Sequence, residues 1–205
     1  MEEGHDMYSQ NDEEEVILKH FEGGEVGRFL DIGAYTGKTF SNTAALVDRG
    51  WHGTMVEASP LCFVSLMQNY KDVEAVTLVQ ALVVAKECDG SLVSFWDNAG
   101  AVASANKEYV EKWRESTAFQ HIYLSALEMP DLLDHVGPVH FMSIDVEGDS
   151  VSLFEVVMEY NSPSLSLVCV ETNNNVEHNH VLSRANHCGF RFLHRTGENT
   201  LVCRS

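Results

Sequence analysis

Three stretches of this chain carry an apolar run that ends on a carboxylate. The first, FLDIGAYTGKTF from Phe29 to Phe40, reaches Asp31 and then turns on Gly33 and Gly37; the second, TMVEAS, closes on Glu57; the third, IDVEG, sets Asp145 and Glu147 before Gly148. Carboxylates at such tips can accept hydrogen bonds from hydroxyls, hold a cation or take up a proton. Glycine beside them lets a ligand approach the backbone. The spacing decides which ligand.

GAYTGKT resembles a phosphate-binding loop, but that loop needs four residues between its first glycine and the Gly-Lys pair, so that its amides wrap the phosphates. Gly33 and Gly37 enclose only three. A P-loop phosphotransferase stays open as an alternative because FMSID, Phe141 to Asp145, could be a strand ending in a magnesium-binding aspartate, with Lys38 as its test residue. The dinucleotide pattern G-x-G-x-x-G cannot be laid on GAYTGK. An acid closing one strand, a glycine turn and a second acid closing the next strand suit an adenosine without phosphates: Glu57 can accept two hydrogen bonds from the adjacent hydroxyls of a ribose. Adenine would then rest near the end of the third strand, beside Gln80 and Ala81.

Asp145 and Glu147 point to one side of a strand with Val146 opposite. Either could orient or deprotonate an acceptor hydroxyl, or Glu147 could cap the following helix. In ETNNNVEHNH, Glu171 and Asn173 could approach Asp145 as oxygen ligands for magnesium, or the asparagines could end a strand and cap a helix. His178 and His180 lack a third ligand, and no metal ligand is assigned. Trp96, Tyr109, Trp113 and Phe119 could line an acceptor pocket or pack in the core.

The elements that must position these residues alternate strand and helix, the signature of an α/β fold with a parallel sheet. Strands are predicted over Arg28 to Ile32, Gly53 to Glu57, Val76 to Leu82, His140 to Val146 and Leu165 to Thr172. Helices are expected over Thr39 to Arg49, where Phe40, Thr43, Ala44 and Val47 share a face, and from Pro60 behind a Ser59 cap. The long stretch from Asp89 to Val136 holds an extra strand, SLVSFW, a helix in KEYVEKWRES, and a short helix starting at Pro130. FRFLH and NTLVC flank RTGE as a closing antiparallel hairpin.

The 205 residues suit one domain, taken as 26–205, behind an acidic, partly mobile and solvated segment, 1–25. A net charge of −18 with no basic patch argues against nucleic-acid partners. The N-terminus lacks a secretory pattern, the apolar runs are too short for a membrane, and the 5 cysteines show no paired spacing, so a cytoplasmic protein with reduced thiols is expected. The oligomeric state is not legible.

Asp31, Gly33, Gly37 and Glu57 resemble the first two motifs of class I S-adenosylmethionine-dependent methyltransferases. With YSQNDEEEVIL, MVEASPLCFVSLMQN, IDVEGDSVSLFEVV and GENTLV, the chain from about Tyr8 to Arg204 resembles the FkbM-type methyltransferase family. That resemblance implies a Rossmann-like class I fold and S-adenosyl-L-methionine as cofactor, the glycine loop with Asp31, Gly33, Tyr35 and Gly37 taking its methionine end, and Glu57 with Ala58 its ribose. Asp145 joins this cofactor set. The implied activity is O-methylation of a small molecule or glycan. The chain departs from the family's usual asparagine at Tyr35, its lysine at Ser143 and its glutamate at Ser150. A silent Rossmann-like binding module, its acidic arm recruiting a basic protein, is the rival from another class.

Overall fold

A computed structural model describes residues 7–24, 26–85 and 92–205. Helix α1 (Glu13–His20) precedes strand β1 (Arg28–Ile32), followed by α2 (Ala44–Asp48), β2 (His52–Glu57), α3 (Pro60–Tyr70), β3 (Val76–Gln80), β4 (Leu82–Val84) and β5 (Leu92–Asp97). Then come α4 (Lys107–Glu111), β6 (Gln120–Glu128), α5 (Met129–Val136), β7 (Phe141–Ile144), α6 (Ser150–Tyr160), β8 (Leu167–Glu171), α7 (Asn175–His187), β9 (Phe190–Arg195) and β10 (Asn199–Arg204). A 7-stranded sheet runs in the order β3-β2-β1-β7-β8-β10-β9, and a 3-stranded sheet in the order β4-β6-β5. The first five strands of the large sheet pair in parallel, and β10 runs antiparallel to both β8 and β9. This is the mostly parallel sheet with an antiparallel finish that the sequence predicts.

Both faces of the sheet are covered, so its central strands read as continuous apolar runs. Alternate residues feed two cores. Leu30, Ile32, Met142, Ile144, Val168 and Val170 enter one, while Phe29, Phe141, Leu167 and Cys169 enter the other with Ile17 of α1 and Trp51. Gly53 belongs to the second face for a steric reason: a Cβ there would lie 2.4 Å from the Phe29 ring.

Four expectations need correction. The helix after β1 starts at Ala44, not Thr39, because the preceding residues form a loop around buried Asp31; Phe40 has φ +58° and is 52% exposed. The third strand stops at Gln80, and Leu82–Val84 leaves the large sheet to pair with β6. The helix in KEYVEKWRES lasts only from Lys107 to Glu111, capped by the Asn106 side chain. The acidic lead is not wholly a solvated face. Glu13 is fully buried and accepts from Thr196 Oγ1 at 2.6 Å and Asn199 Nδ2 at 2.9 Å, which fixes α1 against the terminal hairpin.

The Ser59 cap donated to by Cys62 N, Pro60 at the helix start and the β9–β10 hairpin match the sequence reading. Ser91 of SLVSFW, Asp89 and Cys88 lie outside the described residues, whose cysteines are free thiols. Among the described residues no helix is long and apolar enough to cross a membrane.

Candidate cofactor and acceptor site

Strand register assembles the site. Asp31 pairs laterally with Met55 on one side and Ser143 on the other, and Ser143 pairs with Cys169. Two residues farther along, Glu57 and Glu171 close β2 and β8 on the same face, and Gly33 and Asp145 stand one residue past the ends of β1 and β7. They form a row across the carboxyl ends of the parallel strands, where open α/β sheets bind ligands. Gly33, between Glu57 and Asp145, has φ +86°, and a Cβ there would meet the Asp145 carbonyl oxygen at 1.7 Å. Only glycine allows the two strand tips to close so tightly.

A narrow cleft on one side of this row is lined by Gly33, Tyr35, Glu57, Ala58, Ala81 and Asp145. Glu57 is buried; its carboxylate accepts from Tyr35 N and Ser59 N, each at 2.7 Å. Burial pushes its pKa up to about 7 against the opposing effect of these amides. Two bonds leave further lone pairs for a diol. Tyr35 has φ +52°, the left-handed region that asparagine tolerates better than tyrosine, which gives a backbone reason for the family's usual residue.

A second cavity, about 230 Å³, opens beyond Gly33 and is lined by Asp31, Tyr35, Tyr109, Trp113, Asp145, Glu147, Glu171 and Glu198 among others. Thr43 Oγ1 donates to Asp31 at 2.6 Å, and Asn42 donates to Ser143 Oγ at 3.2 Å on the floor. Burial raises the Asp31 pKa to about 6, despite hydrogen bonds from Thr43 and Ser143.

One carboxylate oxygen from each of Asp145, Glu147 and Glu171 lies within 4.8 Å of the others, close enough for one cation to sit among them. Burial, then repulsion by Glu171, raises Glu147 to about 8, opposed by a hydrogen bond from Tyr109 Oη. Burial and the charges of Glu171 and Glu147 raise Asp145 well above the usual range. Glu171 is also raised by burial, although Ser150 Oγ at 2.9 Å and Asn173 Nδ2 at 3.0 Å donate to it. Ser150, where the family has a glutamate, thereby serves the row through its hydroxyl, which also accepts from Val146 N at 3.0 Å.

The insertion grips the turn after β7. Ser104 Oγ donates to the Glu147 carbonyl at 2.5 Å and Asn106 Nδ2 to the Gly148 carbonyl at 3.1 Å, while Tyr109 holds the Glu147 carboxylate. These contacts hold Glu147 at φ +54°.

Of the predicted site residues, Asp31, Gly33, Tyr35, Glu57, Ala58, Ala81, Asp145 and Glu147 line one or both cavities. Gly37 and Gln80 line neither. Gly37 is buried against α3, where a Cβ would come 2.5 Å from Leu66 and Tyr70, and Gln80 is exposed at the end of β3. Tyr109 and Trp113 line the second cavity, whereas Trp96 stacks on His121 and Phe119 lines neither cavity. His178 bonds Thr200 and His180 pairs with Glu155, two separate surroundings on α7. Lys38 lies outside both cavities; its ammonium sits over the Tyr8 and Tyr70 rings at 4.9 and 5.2 Å and 3.9 Å from Asp48. Sequence reasoning missed Thr43, Asn42, Glu198 and the grip of Ser104, Asn106 and Tyr109.

The model of the methyltransferase FkbM domain matches residues 31–192. The chain belongs to the FkbM methyltransferase family. Among curated proteins no match to the sequence was found. Its fold is similar to that of precorrin-6y C5,15-methyltransferase from Geobacter metallireducens, with a TM-score of 0.55, 11% identity, and coverage of 98% of this chain and 93% of that one. It is similar also to ribosomal protein L11 methylase from Lactobacillus delbrueckii, with a TM-score of 0.53, 10% identity, and coverage of 94% and 77%. At these identities the likeness concerns the Rossmann-like methyltransferase fold, and the match to the family covers the whole row from Asp31 to Glu171.

Proposed function

We propose that this FkbM-family chain binds S-adenosyl-L-methionine in the cleft between Glu57 and Asp145 and transfers its methyl group to a hydroxyl of a small molecule or glycan in the adjoining cavity. One observation carries the reading: the side-chain-free gap at Gly33, between the buried Glu57 and the half-buried Asp145 at the strand tips on either side of it and open to both cavities. Glu57 would hold the ribose hydroxyls, Ala58 and Ala81 would flank the nucleoside, and Asp31, Tyr35 and Asp145 would face the methionine end. Among the described residues that line the cleft there is no lysine, arginine or histidine, which supports a nucleoside without polyphosphate.

When bound, S-adenosyl-L-methionine would supply an electrophilic methyl carbon, its carbon–sulfur bond giving way with the electron pair left on sulfur as the acceptor oxygen bonds to carbon. The chain's part is to bring acceptor and methyl together and to take the hydroxyl proton. Glu147 is the better placed of the two candidate bases. With its pKa pushed up to about 8 it is, once ionised at mildly alkaline pH, a stronger proton acceptor than an ordinary carboxylate, and Tyr109 fixes its orientation. Asp145 is more deeply enclosed and adjoins both cavities.

Calorimetry with S-adenosylhomocysteine tests the cofactor half. Because hydrogen bonds to a charged group contribute about 1.5–3 kcal/mol each, Glu57→Ala is expected to weaken binding roughly tenfold to several hundredfold. Unchanged affinity would refute the ribose assignment. Stabilisation by ATP with magnesium in place of S-adenosylhomocysteine would instead favour a phosphotransferase.

A further inference from the structure

The second cavity contains an imbalance of charge. Asp145, Glu147, Glu171 and Glu198 all line it, yet among the described residues no lysine, arginine or histidine does. None of these carboxylates takes part in an ion pair among the described residues. Glu171 is buried, Asp145 and Glu147 are half-buried and Glu198 lies exposed at the rim; enclosed carboxylates without a counter-charge are unfavourable, so a chain that keeps several around one space leaves room for a positive ligand.

Asp145 is the clearest case. It adjoins both cavities, and its carboxylate has no hydrogen-bond partner among the described residues, in contrast to Glu57, Asp31 and Glu171. Burial first, and for Asp145 and Glu147 then the charge of Glu171, raises the proton affinities of Asp145, Glu147 and Glu171. A sulfonium cofactor brings one net positive charge, fewer than the carboxylates present.

The rest of the lining selects among cations. Tyr109 and Trp113 stand on the same cavity; the Lys112 ammonium already sits over the Tyr109 ring, 5.0 Å from its centroid, while Trp113 is 39% exposed, and aromatic faces attract organic ammonium groups. A bare metal ion needs neither rings nor a space of about 230 Å³.

Resting on the cofactor reading above, we propose that the acceptor is a hydroxyl compound bearing an ammonium group, an amino alcohol or amino sugar, whose positive charge is held among these carboxylates and rings. The charge anchors the acceptor so that its hydroxyl faces the methyl carbon.

The test uses the full chain saturated with S-adenosylhomocysteine at mildly alkaline pH. Calorimetric titrations compare choline with the neutral alcohol in which a tert-butyl group replaces the trimethylammonium, and ethanolamine, which stays protonated at that pH, with 1-propanol. The charged member of each pair is expected to bind at least about tenfold tighter. That preference should fall severalfold in Glu198→Gln, an exposed position whose substitution leaves the core untouched, and further in Glu171→Gln. Equal binding within both pairs, or no binding by any probe, overturns the proposal. Stoichiometric Mg²⁺ binding that excludes choline overturns it in favour of an inorganic cation. Failure of S-adenosylhomocysteine to bind strikes the cofactor reading instead, and the choline preference is then measured without it.

Discussion

Glu13 and Glu147 are both enclosed glutamates close to the ends of regular elements, but their surroundings differ. Burial alone would raise the pKa of Glu13, yet hydrogen bonds from Thr196, Asn199 and Asn11 outweigh it and hold the value below the ordinary one. Glu147 has Tyr109 as its donor, two acids as neighbours and a pKa pushed up to about 8. The first carboxylate is committed to the fold, with its lone pairs occupied by the chain. The second is left with proton and cation affinity to spare. An acid's remaining bonding capacity, more than its burial, separates a structural role from a chemical one.

The contrast can be broken most forcibly at Glu13. Glu13→Ala removes donors' partners at Thr196 and Asn199 and should cost about 3 kcal/mol in urea unfolding, with S-adenosylhomocysteine affinity unchanged. A loss of ligand affinity without a loss of stability would erase the distinction.

Glu147 should respond in the opposite sense. A carboxyl whose folded pKa is raised binds its proton more tightly when folded than when unfolded. Its contribution to stability is therefore fully present below the ordinary value of 4.5 and lost as pH rises through about 8. Urea midpoints followed from acid to alkaline pH should fall across that window, and Glu147→Gln should flatten the decline by about 2 kcal/mol. A decline of the same size in the variant would assign it to other groups.

Asp31 lies between the two extremes, with one short bond from Thr43 and a pKa of about 6. Thr43→Val should cost about 1 kcal/mol and move the Asp31 titration, followed by carbon NMR, to higher pH. An unmoved titration would mean that the hydroxyl does not hold this acid.

Local patterns made much of this legible. Apolar strands ending in acids located Asp31, Glu57 and Asp145, and turn residues located the Ser59 cap and the final hairpin, because those signals lie within a few positions of what they determine. The failures have long-range causes. Glu13 reads as one of a run of surface acids until partners 183 and 186 positions away close on it. Thr39 to Thr43 reads as helix from its spacing, but the buried Asp31 draws Thr43 into a polar loop instead. Gln80 and Gly37 fit a pattern of types, and only the direction in which each faces excludes them from the cavities.

The bond from Asn199 to Glu13 also has a temporal consequence. During synthesis α1 emerges early, but the strand that supplies its partner is made nearly the whole chain later, so a nascent chain must keep this carboxylate hydrated until β10 arrives. The Glu13 contacts that lock α1 accordingly close only once the terminal hairpin has been made.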